Sequence, residues 1–300
     1  MWFKNILMYR LERPWTLAAG SLEALLAEQP LQPCSAMTMQ TNGWVAPSDS
    51  GALVESLGRH LLVALGTEQK LLPGSVVNDA ARDKAEQFEQ QRGFKPGRKM
   101  MQEIKEQVTA ELLPRAFSRR SETRAWIDGE NQRLIVEASS AARAEVLVEQ
   151  LRDRLGELSA IPVDADPSPS VTMTSWLASG HAPGRFAMED ECELASGDAT
   201  RSVIRYLRHP LDGAEIRRHL EAGMRVTKLL LTWNDRLSFV LNEQLQLKRI
   251  SFLDMDEDRE QAAETDLQFE AEFALMTGEL SRLLSDLGDA LGTNKLANAA

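Results

Sequence analysis

Cysteine is nearly absent from this chain: Cys34 and Cys192 are the only two in 300 residues, far apart and with no second ligand beside either. The pair implies neither a disulfide framework nor a zinc site, and reads as reduced, cytosolic thiols. Histidine is almost as sparse, and His60, His181, His209 and His219 show none of the i, i+4 pairing of a helical metal site. No Gly-x-Gly-x-x-Gly or Gly-Lys-Ser/Thr loop appears, so the usual phosphate cradle of a nucleotide site is missing. No serine or cysteine sits in a recognisable nucleophile motif. No run approaches the roughly 20 apolar residues of a membrane-spanning helix. The start, Met1 to Arg10, lacks the basic, apolar and small-residue segments of a signal peptide and reads as a strand. A cytoplasmic binding protein with no catalytic residues, metal or cofactor is the expectation.

Charge is present but unevenly spread. The chain holds 34 Lys plus Arg against 45 Asp plus Glu, a net of −11. Residues 254–300 carry twelve acids and three bases, a net of −9, so the remainder is close to neutral. Within that remainder, Lys84 to Arg124 counts ten bases against six acids. Local fields steer ligands whatever the net charge, so an acidic pI does not exclude a polyanionic partner.

The richest stretch is Leu112-Leu-Pro-Arg-Ala-Phe-Ser-Arg-Arg-Ser-Glu-Thr-Arg-Ala-Trp-Ile-Asp128. Pro114 should end a helix. The residues after it read as an arginine-rich connection into a strand beginning near Thr123. Guanidinium forks hold phosphate bidentately and stay charged, which points to Arg115, Arg119 and Arg120 as polyanion contacts. The alternative is a solvated, charged turn. Arg205, Arg208 and His209 form a second candidate group at the end of a strand, with pairing to Asp212 and Glu215 as the alternative. Lys95, Arg98 and Lys99 form a third at a helical tip.

The pattern predicts an α+β fold of several modules with mixed or antiparallel sheets, an inserted helical hairpin and a long C-terminal helix. Strands are expected at 2–10, 43–46 and 60–65, with a short helix capped by Ser21 between the first two. Residues 75–113 turn polar and helix-forming, broken by Gly93 and Pro96-Gly97 into a hairpin. Strands at 123–128 and 133–137 flank an Asp128-Gly129 turn. A helix over 141–155 stops at Gly156. Residues 162–170, with three prolines, read as a linker. Beyond it come a strand at 203–207, a helix at 212–221, a hairpin at 224–241 turning at Asn234-Asp235, and a strand at 248–252. The stripe Phe273, Met276, Leu280, Leu283, Leu287 and Leu291 marks the final helix. The implied organisation is a central domain of 1–74 plus 118–161, an inserted tip of 75–117, and a base domain of 171–300. The acidic run 254–258 reads as a solvated loop, with a Mg²⁺ site for a nuclease as the alternative.

Five segments together resemble the RdgC family of bacterial recombination-associated proteins. They are Trp2-Phe-Lys-Asn5, Leu113-Pro-Arg-Ala-Phe-Ser-Arg119, Ser175-Trp-Leu-Ala-Ser-Gly180, Glu221-Ala-Gly-Met-Arg-Val-Thr-Lys-Leu229 and Leu275-Met-Thr-Gly-Glu-Leu280. They run from end to end of the chain. The resemblance implies a homodimeric ring of two crescent subunits around a positively lined hole that encircles duplex DNA. It also implies nonspecific binding of double-stranded and possibly single-stranded DNA, association with the nucleoid, and restraint of RecA-promoted strand exchange. It implies no enzyme activity, metal, cofactor or membrane partner. Nonspecific binding needs phosphate contacts alone, and the ring that the resemblance implies needs two self-complementary interfaces. Phe117, flanked by arginines after the helix break, is the candidate for the smaller one, with simple packing under a turn as the alternative. A second reading is a protein-interaction module acting on a recombination protein through the acidic C-terminal region.

Overall fold

The structure is a computed structural model and describes residues 2–198, 202–253 and 266–293. Its first part runs β1 (Ile6–Leu11), α1 (Ala19–Leu26), β2 (Gln40–Val45), β3 (Val54–Leu57) and β4 (His60–Lys70). The helices α2 (Gly74–Arg92) and α3 (Arg98–Leu112) come next, and a 3-10 turn at Leu113–Arg115 leads into β5 (Ser118–Asp128). Then come β6 (Arg133–Glu137), α4 (Ala141–Leu155), β7 (Ala160–Pro162) and α5 (Pro169–Ser179). The last part comprises β8 (Phe186–Ala195), β9 (Val203–Leu207), α6 (Ala214–Glu221), β10 (Arg225–Trp233), β11 (Leu237–Asn242), β12 (Leu247–Phe252) and α7 (Asp266–Leu291).

Among the described residues twelve strands make one open sheet in the order β2-β4-β5-β6-β1-β12-β11-β10-β8-β9, with β3 on β4 and β7 on β1. Every ladder is antiparallel. The α+β class expected from the pattern is therefore the one observed. Of the mixed or antiparallel alternatives the antiparallel one holds, the isolated Pro30–Trp44 bridge being the parallel contact among the described residues. At mid-sheet, β1 meets β12 in register at Ile6–Leu247, and the Ile250 N–H donates to the Lys4 carbonyl at 2.9 Å.

Alternation along the strands divides the apolar side chains between the two faces. On one face Leu61, Val63, Ala125, Ile127, Leu134 and Val136 pack under α1 and α4. On the other, Leu62, Trp126 and Ile135 join Phe3, Ile6, the strands β8, β10, β11 and β12, and the stripe of α7. The α2–α3 hairpin has a small seam of its own, Ala81, Ala85, Ile104 and Val108.

Several expectations are corrected. Ser21 lies inside α1, and the N-cap is Ala18, with no side-chain bond. The arginine-rich connection is strand: β5 begins at Ser118 and pairs with β4 along its whole length, from Lys70–Ser118 to His60–Asp128. The 162–170 stretch is built into the fold, since Val163 donates to the Met8 carbonyl at 3.0 Å and α5 starts at Pro169. Strands β3 and β8 and helix α5 had no counterpart in the periodicity. The hairpin turns where expected, with Asn234 and Asp235 both at positive φ (53° and 54°) and the Arg236 N–H donating to the Trp233 carbonyl at 3.0 Å.

Gly43 marks the tightest approach at the β2 edge. A Cβ there would stand 2.3 Å from the Leu31 backbone nitrogen and 2.5 Å from the Pro30 carbonyl carbon. Gly43→Ala is expected to cost about 3 kcal/mol of stability, because backbone must move to make room. Urea unfolding of the two proteins measures it, and equal midpoints would show that the 30–31 segment yields freely.

Candidate nucleic-acid interface

The structure spreads the candidate cations over three places and neutralises some of them. Arg119 and Arg120 are consecutive strand residues, so they leave the sheet on opposite faces. They cannot grip one phosphate together. Arg120 faces Glu68 across the β4–β5 ladder, and its Nε donates to Glu68 Oε2 at 2.6 Å. Glu68 is 5% exposed and also accepts the Cys34 N–H at 3.0 Å. The hydrogen bond from Arg120, with that from Cys34, holds the Glu68 carboxyl below its ordinary range. Arg119 is exposed and makes no ion pair among the described residues, and Arg115 stands exposed on the 3-10 turn, where its charge acts on Glu111.

The second group is largely internal to its own surface. Arg205 Nε donates to Glu193 Oε2 at 2.7 Å, and Lys228 Nζ reaches the same oxygen at 3.0 Å. Burial alone would raise the Glu193 carboxyl, but the bonds from Arg205, Lys228 and Thr227 outweigh it and bring it below its ordinary value. His209 Nε2 lies 3.5 Å from Glu215 Oε1, and its ring leans on Tyr206 at 5.2 Å. His209 therefore lies beside Glu215, while Arg205 takes a partner on the neighbouring strand. Arg208, at positive φ (53°) beyond the end of β9, is exposed and unpaired among the described residues.

The third group is the most open. Lys95, Arg98 and Lys99 are exposed at the turn of the hairpin, and Arg92 in the last turn of α2 joins them. None of the four makes an ion pair among the described residues, and no acid occurs between positions 90 and 102. Lower down, Lys84 and Glu111 pair at 2.6 Å across the two helices, whereas the tip cations have no such partner among the described residues. Arg98 and Lys99 occupy the first turn of α3, where the helix dipole disfavours cations. Arg92 was not singled out from the sequence; its place immediately before the left-handed Gly93 was the available signal.

Phe117 is 84% exposed, so packing under a turn is excluded in the isolated chain. Its carbonyl accepts the Leu71 N–H at 2.7 Å, and the Lys70 N–H donates to the Met39 carbonyl at 2.8 Å. These bonds bring the ends of β2, β4 and β5 together, and Met39 and Leu71 are exposed there as well. This apolar patch was missed because each member is single in the sequence. The acidic run 254–258 lies outside the described residues. Among the described residues no group of three or more His, Cys, Asp or Glu is placed to hold a metal ion, and no helix is long and apolar enough to cross a membrane.

Comparison with known proteins decides the family. The model described as "Putative exonuclease, RdgC" matches residues 1–294. The chain belongs to the RdgC family. It is 46% identical over 299 residues to the recombination-associated protein RdgC of Cupriavidus necator, covering 99% of this chain and all of that relative. The RdgC of Dechloromonas aromatica is 46% identical over 297 residues, 97% of this chain and 98% of that protein. The RdgC of Burkholderia ambifaria is 44% identical over 297 residues, 98% and 97% of the two chains. The two kinds of name differ, one pointing to an exonuclease and the other to recombination.

The Arg120–Glu68 pair yields a check that is independent of any ligand. A depressed carboxyl stabilises the fold fully above its ordinary value of 4.5, and that contribution is lost as pH falls through the depressed value. Arg120→Ala is expected to move the Glu68 titration upward, toward 4.5, and to raise the pH at which acid unfolding begins. Carboxyl ¹³C NMR and acid unfolding followed by circular dichroism read the two shifts. An unmoved Glu68 would show that the Cys34 N–H alone sets it.

Proposed function

We propose that this RdgC family member binds DNA without sequence preference and without cleaving it, in the cytoplasm and associated with the nucleoid. It acts as a ring-shaped homodimer closed around duplex DNA and modulates recombination by limiting RecA-promoted strand exchange. The relatives' names supply the link to recombination. The observation that carries the reading is the cluster Arg92, Lys95, Arg98 and Lys99, which makes no ion pair among the described residues, whereas Arg120 and Arg205 are held by glutamates. Cations without protein partners release counterions from phosphate on binding, which is all that nonspecific affinity requires. Arg119, Arg208 and Arg115 extend the surface, whereas Arg120 and Arg205 contribute weakly because local glutamates hold them. The exposed patch of Phe117, Leu71 and Met39 is one of the two self-contacts that ring closure needs.

Binding of a labelled duplex across a salt series tests the phosphate term. Log affinity is expected to fall linearly with log salt, similarly for unrelated sequences. The combined Lys95→Gln, Arg98→Gln, Lys99→Gln variant should flatten the slope by about 3 for each subunit engaged. A slope unchanged by that variant would move the interface off the tip.

Topology tests the ring. The protein is expected to stay on closed circular DNA and slide off linear DNA at moderate salt. Phe117→Asp should abolish the difference and lower the oligomeric mass seen by light scattering. Equal retention on both forms would remove encirclement, and loss of labelled duplex during incubation with Mg²⁺ or Mn²⁺ would favour the exonuclease instead.

A further inference from the structure

Phe94 is the one large aromatic in the cationic tip. It lies in the five-residue connection Gly93-Phe-Lys-Pro-Gly97 between α2 and α3. Gly93, at φ 77°, ends α2 in the left-handed region, and the extended Gly97 caps α3. The loop is thus short and built at both ends by glycine. Phe94 meets the Phe88 ring edge to face, with centroids 5.6 Å apart, and is still 60% exposed. Arg92, Lys95, Arg98 and Lys99 surround it in the chain, and no acid intervenes. An aromatic left in solvent beside unpaired cations has the composition of a surface that tracks a phosphate backbone and stacks on bases.

We propose that Phe94 stacks on an unpaired base, making the hairpin tip a reader of single-stranded segments in DNA. The inference rests on the DNA-binding reading above and adds the strand type. A phenyl ring carries no hydrogen-bonding group, so it cannot read base edges. Its favourable contact is ring against ring, which every base offers. In a paired duplex those faces are already covered by neighbouring base pairs, and insertion between them costs unstacking energy. Unpaired bases carry no such cost. Phe94 therefore favours gapped or single-stranded DNA, while the four cations bind either form alike.

The test compares wild type with Phe94→Ala and Phe94→Trp in the full chain, on a short labelled single strand and on the duplex of the same length. Circular dichroism melting confirms that the variants are folded. Single-strand affinity is expected to fall about 5- to 150-fold in Phe94→Ala and to be kept in Phe94→Trp. Duplex affinity should hold within about twofold, and the salt slope on both forms should not change, because no charge is removed. Single-strand binding by Phe94→Ala equal to wild type would overturn the inference and leave DNA binding standing. Equal losses on both forms would overturn it as well, since the ring would then only shape the loop. A lowered oligomeric mass for Phe94→Ala would overturn it too, assigning the ring to a second copy of the chain. Failure of the wild type to bind either DNA would remove the DNA-binding reading, and this one with it.

Discussion

The burial of one face of α7 holds the two halves of the sheet together. At mid-sheet the strands of the first and last parts of the chain meet along little backbone, essentially the Ile6–Leu247 pair and the Ile250–Lys4 bond. That joint would be weak alone. Across it lies a helix whose Phe273, Met276, Leu280, Leu283, Leu287 and Leu291 are each no more than 2% exposed. Each such side chain contributes about 1.5–3 kcal/mol on leaving water, so the helix supplies far more than the few hydrogen bonds it spans. Its polar side chains then tie both parts in register. Ser281 donates to Asp128 at 3.2 Å and Arg133 to Ser285 at 3.4 Å from the first part, while Trp233 donates to Asp286 at 2.9 Å and Arg236 to Glu279 at 2.9 Å from the last. The cost of burying Asp128 is met by bonds from Glu130, Asn131 and Ser281.

This bracing sets where an interface can form. The outward face of the last strands is occupied by its own ion pairs, Arg205 and Lys228 on Glu193 and Arg249 on Glu191 at 2.7 Å. Such pairs organise a polar sheet face, and they leave its guanidinium groups less available to an outside anion. The α2–α3 hairpin is the opposite case. Its core is four small or medium side chains, its stem pair is Lys84–Glu111, and its end carries cations that no carboxylate matches among the described residues. A projecting element with a thin core and an unmatched end can reach a ligand without disturbing the main sheet. The placement of Arg98 and Lys99 against the α3 dipole costs helix stability.

The fold was legible wherever the pattern is local. The hairpin 74–112, β6, α4, β9 and the last helix emerged from apolar period, glycine stops and proline breaks, to within a residue or two for most boundaries. Strand β8 was not, and the reason is visible in its letters. Phe186-Ala-Met-Glu-Asp-Glu-Cys-Glu-Leu-Ala195 holds four acids and lacks the clean alternation of a half-buried strand. It is a strand because β10 and β9 flank it and because Arg205, Lys228, Arg249 and Thr232, from other strands, donate to its glutamates. Likewise β3 is four residues long and exists by pairing with β4, and the proline-rich 162–170 is ordered by contact with β1.

The same division runs through the candidate site. Composition and order determined that cations gather between 84 and 124, that a hairpin turns near 93–97, and that an aromatic comes after the break at Pro114. They also determined family membership, since whole-length similarity is a property of sequence. Which cations remain available was decided by tertiary structure alone. The carboxylate that takes Arg120 lies 52 positions away, and the one that takes Arg205 sits on another strand. The opposite facing of Arg119 and Arg120 comes from the pleat once β5 is known to begin at Ser118. Charge is written residue by residue, but whether a charge is free depends on what the fold brings within about 4 Å of it.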